Sequence, residues 1–127
     1  MCLLISMTTP DEVAAAVGGG ADIIDVKNPA EGALGASFAP IIRQVRQATP
    51  AHLPVSATLG DVPNLPGTVA LAALGAASCG IQYVKVGLMG PRHPAEAIYL
   101  LQHACQAVRE YGPRYSSLLR PMRTRTR

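Results

Sequence analysis

Short apolar runs alternate with longer amphipathic stretches over the first 112 residues. Leu3-Leu4-Ile5, Asp22 to Lys27, Leu53 to Thr58 and Gln82 to Val86 read as strands. Each is a brief run of branched apolar residues bounded by turn formers. The first helix is expected from Thr9 as cap and Pro10 as first residue, with Asp11 and Glu12 in the opening turn, where acids suit the helix dipole. It runs to about Val17 and stops at Gly18-Gly19-Gly20. A second, Phe38 to Ala48, places Ile41, Ile42 and Val45 at core spacing and is broken by Thr49-Pro50. A third, capped by Thr68 and ending near Cys79-Gly80, is apolar nearly all round; such a helix should be well covered by neighbours. The fourth opens at Pro94, sets Ala97, Leu100, Leu101, Ala104, Cys105 and Val108 on one face, and ends near Tyr111-Gly112-Pro113.

Four strand–helix units in sequence make this an α/β chain. Strands that are apolar throughout, rather than alternating, imply a parallel sheet covered by helices. Two architectures fit: half of a (β/α)8 barrel, or a small doubly wound sheet. The pattern by itself leans to the second, because a whole barrel typically takes about 250 residues. Residues 1–112 are therefore one folded unit. Residues 113–127 lose the periodicity and are expected to lie off the fold, as an unstructured or frameshifted tail.

Charge sharpens that division. The chain carries a net charge of +3, yet residues 1–112 hold six basic and eight acidic groups, while 113–127 hold five arginines and no acid. The body thus gives no reason to expect specific nucleic-acid binding; the tail could hold anionic surfaces by charge alone. No apolar run approaches the roughly 18 residues of a membrane span, and Met1 to Ser6 lacks the basic flank of a signal peptide. Cys2, Cys79 and Cys105 are widely spaced and odd in number, which fits buried thiols in a reducing cytoplasm better than a disulfide frame or a zinc site. His52, His93 and His103 lack metal-ligand spacing.

The chemistry concentrates in lysine. Lys27 and Lys85 are the only two in the chain, and each stands near the end of an apolar strand. Lysine is the cationic side chain that can shed its proton, attack a carbonyl and form a Schiff base. Parallel α/β folds gather functional groups at the carboxyl ends of strands, and here those positions also offer Ser6, Asp25, Thr58 and Asp61. Asp25 and Lys27, two apart, share a strand face. A carboxylate beside a lysine can hold or relay its proton; the same pair can equally be a structural ion bridge. Lys85 would supply a second cation, for proton transfer or as a point charge on phosphate.

Several segments resemble one family. Residues 20–36, GADIIDVKNPAEGALGA, residues 55–68, VSATLGDVPNLPGT, and residues 71–77 and 83–88, LAALGAA and YVKVGL, are similar to the ordered motifs of the (5-formylfuran-3-yl)methyl phosphate synthases of methanofuran biosynthesis, also called 4-(hydroxymethyl)-2-furancarboxaldehyde-phosphate synthases. The resemblance runs from about residue 3 to residue 112. It implies an aldolase-type (β/α)8 barrel that condenses two glyceraldehyde 3-phosphate molecules with loss of phosphate and water. It implies Lys27 as the Schiff-base lysine, Lys85 as the proton-transfer lysine and Asp25 as a neighbouring acid, with no metal or organic cofactor. Family members are nearly twice as long, and their second half supplies four more strands and further site residues. A chain with only the first half should expose strand edges and apolar surface, and self-associate or be poorly stable.

Overall fold

The computed structural model describes residues 1–111; the tail expected from residue 113 lies outside them. Strands β1 (Leu4–Met7), β2 (Ile23–Val26), β3 (Val55–Thr58) and β4 (Tyr83–Lys85) form one parallel sheet in the order β1-β2-β3-β4. Helices α1 (Val13–Gly18), α2 (Ala39–Ala48), α3 (Pro66–Ala77) and α4 (Pro94–Glu110) follow the successive strands, with short 3-10 turns at Pro10–Glu12 and Pro29–Glu31. Every strand pairs with the next in sequence, so the order never reverses. A doubly wound sheet needs such a reversal, and the leaning toward that fold is corrected. The arrangement is consistent with four consecutive units of a barrel-like fold.

The two faces of the sheet differ in chemistry. Met7, Ile24, Val26, Val55 and Ala57 are buried in the core, with Ile5, Val84 and Val86 packed against it. They meet Val13, Ile42, Val45, Val69, Leu100 and Ala104 from the helices. Each buried Val, Leu or Ile of this kind contributes about 1.5–3 kcal/mol. The alternate strand positions, Leu4, Ser6, Asp25, Ser56, Tyr83 and Lys85 among them, take no part in that core. Among the described residues, helices therefore cover one face only, and the strands' apolar runs conceal a polar row on the other.

Helix-to-strand turns are made by glycine at two matching places. Gly20 before β2 and Gly80 before β4 have φ of 92° and 82°, a region that side chains with a Cβ enter only under strain. Below the sheet, Arg46 of α2 ties the turn into β3 together. Its guanidinium donates to the carbonyls of Leu53 and Pro50 at 3.0 Å and to Gln82 Oε1 at 2.6 Å. Gln82 Oε1 also accepts the Val55 amide at 2.9 Å.

Some local expectations need correction. Helix α3 starts at Pro66, with Leu65 at the cap position, so Thr68 sits inside the first turn instead of capping it; proline is favoured at a helix's first position because it has no amide to satisfy. The apolar α3 is incompletely covered, for Leu71 is 72% exposed. Thr9 occupies the position before the first turn, but its hydroxyl caps nothing. Of the cysteines only Cys79 is buried; Cys2 and Cys105 are exposed. No helix among the described residues is long and apolar enough to cross a membrane.

Candidate active site

Parallel register aligns Ser6 of β1, Asp25 of β2 and Ser56 of β3 in one row across the sheet. Asp25, in the middle, is fully buried. A buried carboxylate is tolerable only when hydrogen bonds and a counter-charge replace its water, and both are present. Ser56 Oγ donates to Oδ1 at 2.6 Å, Ser6 Oγ donates to Oδ2 at 2.8 Å, and Lys85 Nζ donates to Oδ2 at 2.8 Å. The Lys85 side chain remains 35% exposed, so one end of this ion pair is sealed and the other looks onto the uncovered face.

Lys85 closes β4, level with Thr58 of β3. It reaches Asp25 across β3 because the β3 residues on this face, Ser56 and Thr58, are short. Thr58 Oγ1 turns away to the Gly35 carbonyl at 2.6 Å.

Lys27 is the first residue after β2 and is half-buried. Its amide continues the sheet by donating to the Met7 carbonyl at 3.1 Å. Among the described residues, no hydrogen bond or ion pair engages its amine. The expected pairing of Asp25 with Lys27 is thus replaced by Asp25 with Lys85. Residues two apart on a strand stand about 6–7 Å apart along it and project in parallel, whereas a lysine on a neighbouring strand can lean over the carboxylate.

The loop after Lys27 is braced from several sides. The Asn28 amide donates to the Gly35 carbonyl at 2.8 Å, and the Gly35 amide donates to Gly32 at 3.0 Å. Asn28 Oδ1 accepts the Ala30 amide at 3.2 Å, and Asn28 Nδ2 donates to Glu31 Oε2 at 3.0 Å. A lysine at the root of such a loop has its backbone fixed while its side chain stays unengaged.

The remaining candidates separate. Asp61 lies outside the cluster and accepts the Met89 amide at 3.1 Å, latching the loop after β3 to the loop after β4. His52 and His93 are exposed, and His103 meets Tyr99 edge-on at 4.5 Å. Ser56 is the member of this cluster that sequence reasoning missed. A serine within the run Val-Ser-Ala-Thr was the signal, but only the register shows that it faces Asp25.

Fold and site together define a parallel βα protein whose two lysines, and the one carboxylate that pairs with Lys85, stand at or near the carboxyl ends of its strands. The profile of the 4-HFC-P synthase family matches residues 3–119, and the chain belongs to that family. The match runs seven residues past residue 112, into the stretch set apart as a tail. Curated relatives named (5-formylfuran-3-yl)methyl phosphate synthase are similar over most of the chain. The protein of Methanothermobacter thermautotrophicus is 54% identical over 110 residues, covering 87% of this chain and 47% of its own. One from Methanococcus maripaludis is 53% identical over 112 residues, covering 88% and 48%. That of Methanocaldococcus jannaschii is 51% identical over 110 residues, covering 87% and 47%. The chain thus spans about half the length of the curated relatives it matches.

Proposed function

We propose that this chain carries the amino-terminal half of the active site of a furan-forming synthase of methanofuran biosynthesis. The reaction joins two glyceraldehyde 3-phosphate molecules into (5-formylfuran-3-yl)methyl phosphate, releasing phosphate and water. The observation that carries the reading is the unequal treatment of the two lysines: Lys85 is tied to buried Asp25 at 2.8 Å, while the Lys27 amine has no partner among the described residues.

That inequality divides the labour of imine chemistry. The Lys27 amine attacks the aldehyde carbon of one substrate and expels its oxygen as water, leaving an imine. Loss of a proton from the adjacent carbon gives an enamine, which attacks the aldehyde of the second molecule. Lys85, held over the same face by Asp25, which Ser6 and Ser56 fix in turn, is the group that gives and takes protons. Asp25 itself, with both oxygens occupied, acts as the fixed anchor of Lys85. The complete site, in this reading, lies in an aldolase-type (β/α)8 barrel of which this chain supplies four units. The unreversed strand order, the one-sided helices and the half-length match support it. Two exposed, unpaired cysteines suit a reducing cytoplasm.

Incubation of the chain with glyceraldehyde 3-phosphate, followed by proton NMR of the products, tests the reading. Furan aldehyde is expected, and Lys27→Met is expected to abolish it. An aldol product without a furan ring would favour a class I aldolase acting on another phosphosugar. Turnover that survives Lys27→Met would remove Lys27 from the mechanism, and a folded chain that turns nothing over would show that this half does not suffice.

A further inference from the structure

We propose that Thr58 is a positioning residue for the imine step: its hydroxyl pins the loop that follows Lys27 to strand β3 and so fixes where the Lys27 amine stands relative to Lys85. The proposal rests on the imine reading of Lys27 and adds to it the group that aims that amine. Thr58 of β3 is level with Lys85 of β4. Carrying the Val26–Ala57 pairing one residue further sets Lys27 level with Thr58. The three therefore form one row across the sheet, with the threonine between the two lysines. Strand spacing puts the two lysine backbones roughly 10 Å apart, a span that two lysine side chains and one small substrate can bridge.

Burial decides what the hydroxyl does. Thr58 is 1% exposed, so it meets no substrate and acts only through its neighbours. Its one proton goes to the Gly35 carbonyl at 2.6 Å, with the Val26 carbonyl farther off at 3.3 Å. The Gly35 carbonyl also accepts the Asn28 amide at 2.8 Å, which closes the neck of the loop directly after Lys27. Thr58 ties that closed neck to β3. Every one of these contacts lies between residues 26 and 58. Valine would serve the packing and strand preference of such a position equally well. The hydroxyl is what packing leaves unexplained, since burying one is unfavourable unless it is bonded. Among the described residues the Lys27 amine has no partner of its own, so the backbone that carries it sets its place. A reacting group misplaced by about 1 Å can lose on the order of a hundredfold in rate.

Thr58→Val and Thr58→Ala remove the donor at two sizes, and Thr58→Ser keeps it. Removing the donor does not orphan the Gly35 carbonyl, which retains the Asn28 amide, so all three variants should fold. Hydrogen exchange followed by NMR should show the Asn28 and Gly35 amides exchanging roughly tenfold faster in the valine and alanine variants, the effect of one lost hydrogen bond. The amides within β2 and β3 should exchange as in the native chain. With glyceraldehyde 3-phosphate and borohydride, the initial rate of adduct formation on Lys27 should fall roughly tenfold or more in the same two variants and return with serine. Native loop exchange in both would overturn the proposal, as would faster loop exchange with an unchanged rate on Lys27. A defect confined to alanine, the mark of a cavity, would overturn it too. So would unfolding of both donor-less variants, or faster exchange throughout the strands, since the hydroxyl would then hold the fold and not the loop. Absence of any Lys27 adduct in the native chain would overturn the imine reading and this proposal with it, whereas a native adduct indifferent to Thr58 would overturn this proposal alone.

Discussion

Replacing Lys85 with methionine should lower folding stability by about 3 kcal/mol, the lower end of the range for breaking a buried ion pair. The carboxylate left behind is fully buried, with the hydroxyls of Ser6 and Ser56 as its remaining partners. The figure is set at the lower end because the lysine side chain keeps 35% exposure, so water can enter where it was. Adding Asp25→Asn to Lys85→Met removes the orphaned charge, and the double variant should recover about half of the loss. Urea unfolding at fixed protein concentration measures all three, provided the slope is unchanged. A loss below about 0.5 kcal/mol for Lys85→Met would place the pair with exposed salt bridges, which contribute little, and would remove Asp25 as an anchor.

Gly35→Ala should be comparably damaging, at about 3 kcal/mol, in the upper part of what overpacking costs. A Cβ at Gly35 would overlap the Asn28 carbonyl oxygen and stand 3.0 Å from the carbonyl carbon and Cβ of Glu31. The first obstacles are backbone, which cannot swing aside as a side chain can. Moving the loop to make room strains the bonds that Gly35 itself makes. Its carbonyl accepts the Asn28 amide at 2.8 Å and Thr58 Oγ1 at 2.6 Å, and its amide donates to Gly32 at 3.0 Å. The loop begins one residue after Lys27, so imine formation should suffer along with stability. Gly67→Ala is the matched control. Gly67 lies in the first turn of α3 with nothing within 4 Å of its Cβ position, and alanine there should stabilise by roughly 0.4–1 kcal/mol through the unfolded chain. Equal thermal melting of the two variants would contradict the account of the loop.

Much of the fold was legible because apolar period and punctuation agree. Gly18-Gly19-Gly20, Thr49-Pro50 and Pro94 marked ends that the structure keeps to within a residue or two. Strand order was not legible. A singly wound and a doubly wound sheet use the same apolar strands and the same helices, and only long-range pairing separates them. Similar reasoning explains the site. Asp25 and both lysines stood out by type and by place at strand ends, but which lysine takes the carboxylate depends on how a long side chain crosses a neighbouring strand. Ser56 was hidden for the same reason: within its own strand it is a small residue among small residues, and only register sets it beside Asp25. The exposure of Cys105 and Leu71 was misread because a helix face that looks apolar can lie on the flank its neighbours do not reach.

The central claim is that Lys27 is the amine that meets the carbonyl while Lys85 is held back by Asp25. Borohydride trapping tests it directly, since the chain offers only these two lysines. The protein is mixed with glyceraldehyde 3-phosphate, reduced, digested and mapped by mass spectrometry. The account predicts the reduced adduct on Lys27, with Lys85 unmodified in the native chain and labelled when Asp25→Asn releases it. An adduct on Lys85 in the native chain, with Lys27 clean, would contradict it.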